Sequence, residues 1–342
     1  MSQKIAIVGD FWSAEDAAQR APFTGAAGWN LNKMFDEASI HRADCFMTNV
    51  FNIKAYDIEH FCGAKTDQVI TSLNSLKAGR YIRSEFLPEL MRLQTELKEL
   101  NPNIIVPLGA AASWYFTGSY SVKATRGTVI EANGKFAQGK KILPTYHPVD
   151  VQRDWSLRPV TVLDLAKAKR EAEFPEIRRP ERIVYIEPSL EEMEWYFAEY
   201  LLNARAISFD IETRGDQITC IGFAPDHRTA LVVPFTDSRV TTPGNVGSYW
   251  PTTDAEILAW GFVRRVLSLP QPKFGQNTLY DINFLWVKYG ITVTNYSDDT
   301  MLCHHALQPE SLKGLGFLGS VYTNESSWKL LNRRTATIKR DA

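Results

Sequence analysis

The residues with the clearest chemistry in this chain are carboxylates. Phe209-Asp210-Ile211-Glu212-Thr213 closes an apolar run, and Gly275-Gln276-Asn277-Thr278-Leu279-Tyr280-Asp281 follows further along. Alternate residues of a strand point to one face, so Asp210 and Glu212 share a side and can ligate one divalent ion together. Asp281, at the start of a helix, is expected to close the same site. Hard oxygen ligands of this kind suit Mg²⁺ or Mn²⁺, and two such ions are the usual apparatus for cutting a phosphodiester.

A second group of chemical residues lies in the first half: Asp10, Asn49, Gly109 and His147. Each lies at or shortly after the end of a short apolar run, at Ile5–Val8, Cys45–Val50, Ile104–Leu108 and Ile142–Leu143 respectively, with helical patterns at Trp29–Ala38 and Ser84–Leu100 between them. Alternating strands and helices argue for an α/β fold with a mostly parallel sheet covered on both faces. Sites in such sheets gather at the carboxyl ends of the strands, where these four residues fall.

The elements that must hold the carboxylates form a separate unit. Phe174-Pro175-Glu176-Ile177-Arg178-Arg179-Pro180-Glu181 follows a helical stretch, Val160–Ala172, and precedes a new strand at Ile183–Ile186. Its prolines and charges mark a linker over 174–181, which divides the chain into domains 1–173 and 182–342. In the second domain, Ser189-Leu190-Glu191-Glu192 reads as a capping box, and strands at Ala206–Ile211, Ile218–Phe223 and Ala230–Phe235 suggest an antiparallel meander. Thr253-Asp254-Ala255-Glu256 opens a further helix with the same box. Asp298-Asp299 is placed to cap a helix from Thr300. His304 and His305 diverge by about 100° on that helix, which favours packing or capping over metal binding.

Bulk properties narrow the function classes. The 342 residues, 44% apolar and 23% charged, are ample for two cores. With a net charge of -1, a polyanionic partner must meet a local basic patch. Ten lysines and arginines against four acids between Lys123 and Arg170 offer one, although a mixed surface with a chance excess gives the same count. Cys45, Cys62, Cys220 and Cys303 form no CxxC pair, which argues against zinc or iron–sulfur sites and for a reducing, cytoplasmic compartment. No run reads as a signal peptide or membrane span.

Taken with their order, these blocks carry two resemblances. The segment from Arg182 onward resembles the 3′–5′ exonuclease domain of phage family A DNA polymerases, an RNase H-like fold, through Phe209–Thr213, Gly275–Asp281 and Asp299-Thr300-Met301-Leu302 with Lys313-Gly314-Leu315-Gly316. That resemblance implies Asp210, Glu212 and Asp281 as ligands of Mg²⁺ or Mn²⁺, Asn277 as a residue bracing the DNA or the motif backbone, and Asp341 as the fourth ligand. The family's third motif has a tyrosine four residues ahead of its aspartate; Thr337 stands there, and the chain closes at Arg340-Asp341-Ala342. A chain stopping inside a motif reads as a split polypeptide, a truncation or a domain without full activity.

Residues 5–54 and 101–170 resemble family 4-type uracil-DNA glycosylases. The blocks are Val8-Gly9-Asp10, Ala21–Gly28, Met47-Thr48-Asn49-Val50, Pro102–Ala110, Arg126-Gly127 and Pro144-Thr145-Tyr146-His147-Pro148. The resemblance implies Phe23 stacking on a flipped base, Asn49 reading its edge, Asp10 and His147 as catalytic groups, and Arg126 holding flanking phosphates. Two departures stand out. Gly9-Asp10-Phe11-Trp12-Ser13 replaces the family's Gly-Glu-Ala-Pro-Gly, and Ile53-Lys54-Ala55-Tyr56 replaces a Lys-Cys-Arg-Pro run, which implies no iron–sulfur cluster.

The combined expectation is a glycosylase-like domain joined to an exonuclease-like domain, similar to the front of a phage polymerase without its polymerase domain. Its partners are then DNA, single-stranded or at 3′ ends, and a separately encoded polymerase chain. A non-catalytic DNA-binding accessory module is the rival reading, and a nuclease acting on RNA a third.

Overall fold

The computed structural model describes residues 3–242 and 245–325. The described residues divide into two compact units, one joining those up to Arg179 to residues 316–325, the other drawn from Pro180–Leu315. The sequence places everything from 182 to 342 in the second domain; in the structure the chain instead returns to the first unit at Gly316. The return rests on bonds between residues far apart in sequence: Arg126 and Lys167, buried in the first unit, find partners at Ser320 and Thr323.

In the first unit the strands are β1 (Ile5–Trp12), β2 (Cys45–Lys54), the short β3 (Cys62–Gly63) and β4 (Tyr81–Ile82), β5 (Ile104–Pro107), β6 (Ile130–Glu131) and β7 (Lys141–Ile142). Five of them form a sheet in the order β2-β1-β5-β7-β6, parallel except for β6. Helices α1 (Ala14–Gln19), α2 (Ala26–Glu37), α3 (Leu87–Leu100), α4 (Ala110–Thr117), α5 (Val122–Thr125), α6 (Pro148–Arg153) and α7 (Arg158–Glu171) occupy the connections. Strand alternation sorts the core: Ala6 and Val8 join the cluster containing Phe51, Phe61 and Leu93, while Ile5 and Ile7 join the one containing Leu31, Phe35 and Leu165.

The chain after β2 is held by aromatic rings. Phe61 stacks on Phe51 at 4.0 Å and meets Phe86 edge-on at 5.0 Å and Phe11 at 5.6 Å. Phe11 therefore turns into this core. Cys45 and Cys62 are buried free thiols among the described residues.

The second unit contains β8 (Ile183–Ile186), α8 (Leu190–Tyr196), β9 (Ile207–Arg214), β10 (Gln217–Ala224), β11 (Thr229–Pro234), β12 (Thr236–Thr242), β13 (Asn245–Ser248), α9 (Thr253–Ser268), β14 (Lys273–Gly275), α10 (Thr278–Tyr289), β15 (Tyr296–Asp299) and α11 (Thr300–Leu307). The helix α12 (Leu315–Tyr322) begins the return to the first unit. The main sheet runs β15-β14-β9-β10-β11-β8. Strands β9, β10 and β11 form the antiparallel meander, and β14 and β15 continue it in parallel on the other side of β9. A three-stranded meander extended by two parallel strands beside its first is the RNase H-like arrangement.

Ser189 makes the expected capping box, but α9 is capped one residue early, by Thr252, whose hydroxyl accepts the Ala255 N–H at 3.2 Å. Along β9, Ile207, Phe209 and Ile211 are buried against Phe262 and Val263 of α9, which turns Asp210 and Glu212 outward. No helix among the described residues is long and apolar enough to cross a membrane.

Replacing the fully buried Phe61 by alanine is expected to cost about 3–5 kcal/mol of stability, as for other core aromatics. Urea unfolding measures it; a loss within experimental error would show that the rings do not hold this region.

Candidate functional site

In the first unit β1 and β2 run on past the ends expected from sequence, to Trp12 and Lys54, and their register sets Gly9 beside Asn49 within the paired strands. A Cβ at Gly9 would lie 2.2 Å from Asn49 Oδ1 and 2.5 Å from Cζ of Phe23, so the glycine is what lets these two side chains close over the strand. Arg92 of α3 fixes the strand end, donating to the Asn49 carbonyl at 2.8 Å and the Val50 carbonyl at 3.2 Å. Glu89 and Glu96 hold that guanidinium in turn. Asn49 is 1% exposed, and its Nδ2 has no hydrogen-bond partner. A buried amide donor left unpaired costs about 1–3 kcal/mol and points to an acceptor that arrives with a ligand.

Phe23 stands on a strained turn with φ 56°, a conformation that bulky residues rarely adopt. Asp16 pins that turn, accepting the Thr24 N–H at 2.7 Å and its hydroxyl at 2.9 Å. The Phe23 ring lies 5.9 Å from the His147 ring, tilted by 33°. His147 caps α6, and its Nδ1 accepts the Val149 N–H at 3.2 Å, which leaves the ring proton on Nε2. Burial lowers its pKa to about 4, overriding the opposite pull of Asp16. His147 is thus a neutral imidazole with Nε2–H available as a donor.

Asp10 follows Gly9 within β1, two residues before the strand ends at Trp12. Its Oδ1 accepts the Ala112 N–H of α4 at 2.8 Å. Burial raises its pKa to about 7, against the lowering effect of the α4 N–H groups and with a further push from the Asp150 charge. Asp150 follows His147 on α6 and bonds its carbonyl at 2.9 Å.

Phe23, Asn49 and His147 are thus brought together, with Asp10 beside them on the strand. Sequence reasoning missed Asp16, Arg92 and Asp150. The Ser13-x-x-Asp16 capping box was the available signal for the first; Arg92 and Asp150 had none.

Arg126 is a correction. Its guanidinium is 4% exposed, donates through Nε to Asp164 Oδ2 at 2.9 Å and through a terminal nitrogen to Ser320 Oγ at 2.9 Å. It faces the interior rather than a phosphate. The basic stretch shrinks with it: Lys141 and Lys167 are also buried, Lys141 paired with Glu171 at 2.7 Å and Lys167 donating to the Gly127 carbonyl at 2.8 Å. Their charges serve the interior.

In the second unit Asp210 and Glu212 lie exposed on one face of β9, as strand alternation requires. Asp281, in the first turn of α10, is buried behind them, its Oδ1 accepting the Ile211 N–H at 3.0 Å. Burial, then the neighbouring Glu212, raises the Asp210 pKa. Burial also lifts Asp281 to about 6, against the Ile211 N–H and with help from Asp210 and Asp299.

Asn277 takes a left-handed conformation, φ 59°, ahead of α10. Its N–H and that of Thr278 bond the two Asp299 oxygens at 3.0 and 2.8 Å. Asn277 thus contributes its backbone to the motif, and Asp299, which also accepts the Met301 N–H at 2.8 Å, ties the starts of α10 and α11 together. His304 is buried and His305 exposed, so the two diverge.

Convergence on a metal is less complete than expected. Among the described residues no group of three histidine, cysteine, aspartate or glutamate side chains is placed to hold an ion, because Asp281 is turned to a backbone N–H while Asp210 and Glu212 face outward. The donor chemistry still fits a hard divalent cation: the charged form of Asp210 is disfavoured by burial and by Glu212, and that of Asp281 by burial and by Asp210 and Asp299. Asp341 lies outside the described residues.

Comparison with known proteins finds a family match that falls within the first unit. Residues 2–175, just over half of the chain, match the Uracil DNA glycosylase superfamily. Over 173 residues the chain is 29% identical to the Type-4 uracil-DNA glycosylase of Thermotoga maritima, covering 49% of this chain and 78% of that protein. Solved structures similar to it include Brucella melitensis NrnC, at 14% identity and a TM-score of 0.28 over 43% of this chain and 63% of that one. Escherichia coli RNase D, an exoribonuclease involved in structured RNA processing, gives 16% and 0.31 over 44% and 36%. The EXD2 exonuclease domain soaked in Mg and GMP gives 14% and 0.26 over 46% and 85%. The chain spans under two thirds of the length of NrnC and of RNase D.

Two outcomes test the site's electrostatics. A carboxyl raised from 3.8 to about 7 on folding contributes stability that is full below 3.8 and lost as pH rises through about 7. Asp10→Asn removes that loss, so the variant gains on the parent across this window in urea denaturation; a pH-independent difference would contradict the assignment. Arg126→Ala strands the buried Asp164 and is expected to cost about 3–5 kcal/mol, whereas a surface phosphate contact would leave the unfolding midpoint almost unmoved.

Proposed function

Because the chain belongs to the uracil-DNA glycosylase superfamily through residues 2–175, we propose that its first unit excises uracil or a close pyrimidine relative from DNA. The observation that carries this reading is the buried, unpartnered Asn49 Nδ2 beside the Phe23 ring. An extruded base stacks on Phe23, Asn49 Nδ2 donates to its O4, and the amide oxygen accepts from N3–H. The C1′–N1 bond breaks with its electron pair leaving on the base. His147 Nε2–H donates to O2 and stabilises the developing anion, the electrostatic contribution that usually dominates. Water adds at C1′, and Asp10, whose pKa of about 7 suits a proton acceptor near neutrality, takes the released proton.

The second unit, in this proposal, is a 3′–5′ exonuclease on DNA ends. Asp210 and Glu212 would hold Mg²⁺ or Mn²⁺ from the exposed face of β9, with Asp281 behind them and Asp341 as the fourth ligand. A bound divalent ion supplies Lewis acidity for phosphodiester hydrolysis. Asn277 holds the α10 start through its backbone. In support stand the meander topology, the shared face of Asp210 and Glu212, and the raised pKa values of Asp210, pushed up by burial and Glu212, and Asp281, pushed up by burial with help from Asp210. Together the activities suit base inspection and end trimming in the cytoplasm during phage-type replication or repair, beside a separate polymerase chain.

The test uses a 5′-labelled, uracil-containing single strand. Alkali-labile breaks at uracil in EDTA are expected, and a ladder only with Mg²⁺ or Mn²⁺. Asp210→Ala should abolish the ladder alone, and Asn49→Ala should lower abasic product by at least about a hundredfold while sparing the ladder. Binding of the strand with neither product would overturn both readings in favour of an accessory DNA-binding module.

A further inference from the structure

The family match ends at residue 175, yet the first unit also contains the segment from Gly316 onward. Helix α12 and the residues after it meet two buried cations. Ser320 Oγ accepts from Arg126 at 2.9 Å and donates to the Phe317 carbonyl at 2.7 Å. The Phe317 ring lies 5.3 Å from the same guanidinium. Lys167 donates to the Ser320 carbonyl and, at 2.8 Å each, to the Gly127 and Thr323 carbonyls.

From these cations a bonded path runs to the base pocket. Arg126 pairs with Asp164, and Asp164 Oδ2 accepts the Thr145 hydroxyl at 2.6 Å. The Thr145 carbonyl accepts the Gly109 N–H at 3.1 Å, at the start of the helix whose N–H groups hold Asp10. Thr145 also stands two residues before His147, and the Pro144 carbonyl accepts the Gly127 N–H at 2.9 Å. Gly127 has φ 70°, and a Cβ there would lie 2.6 Å from Asp164 Oδ1 and 3.1 Å from the Ser320 carbonyl. That glycine makes room for the returning segment.

We propose that Ser320 and Phe317, outside the family segment, are positioning residues for the base pocket: they fix Arg126 and Asp164, which set the Pro144–His147 turn and the Gly109 corner. The inference rests on the base-excision reading for its functional meaning, but not for its test. Without these partners Arg126 would stay buried with one donor unsatisfied, and the turn bearing His147 would lose its anchor.

The experiment takes the full chain with ¹⁵N-labelled histidines, the His147 signals being identified by their loss in His147→Gln. At neutral pH the parent is expected to show an unprotonated Nδ1 and a protonated Nε2 at His147. Ser320→Ala and Phe317→Leu should shift this ring pattern while His227, exposed in the second unit, stays unmoved. Uracil excision should fall by about tenfold in kcat with little change in KM, as for a misplaced catalytic group. Gly127→Ala should act in the same direction; if it does not fold, the other two variants still decide. Folded variants with the parent's His147 spectrum would overturn the proposal. A parent that excises no uracil would sink the base-excision reading alone, because the spectrum reads the coupling independently.

Discussion

A side-chain amide kept out of water without a bond is the constraint around which the first unit is arranged. Asn49 is held within β2 by the Arg92 clamp on its carbonyl, shares the space over Gly9 with the Phe23 ring, and reaches its position because residue 9 has no side chain. Folding alone gains nothing from such an arrangement, since an unpaired buried donor is a net cost. The strained Phe23 backbone points the same way. Both costs become intelligible when a flat, hydrogen-bonding ligand completes the site.

The two units meet a similar electrostatic problem with different tools. In the first, Asp10 is ringed by the N–H groups of α4, and burial outweighs them, leaving a carboxyl near neutrality. In the second, Asp299 has enough backbone donors to overcome its burial and falls below the ordinary carboxylate range. Asp281 has fewer, and two carboxylate neighbours, so it rises. The same residue type is thus a helix-capping anion at 299 and a carboxyl lifted toward neutrality at 281, decided by the N–H groups and charges aimed at it.

Much of the architecture was legible because it follows from local patterns. The Ile5–Val8 alternation fixes which face each residue buries, and the spacing from Asp210 to Asp281 carries the meander and the parallel strands after it. The sequence expected Asn49 and His147 at strand ends; the structure brings them together with Phe23 from the middle of β2, the start of α6 and the turn between α1 and α2. Arg126 was misread because a charge is a surface residue by default, and only the distant Asp164 and Ser320 make its burial tolerable. The return at Gly316 was hidden for the same reason: the partners that draw it back lie at 126 and 167, and no local pattern records such a pairing. Residues that orient others, such as Arg92 on the Asn49 carbonyl, left no trace in sequence because their contacts are to backbone.

The account stands or falls on whether the Asn49 amide is the reader of a base. A ¹H–¹⁵N spectrum of the full chain, titrated with free uracil, observes that NH₂ group directly. The account predicts a saturable downfield shift of the Asn49 side-chain amide, absent when adenine replaces uracil. An Asn49 signal unmoved while uracil binds, or equally moved by adenine, would contradict it.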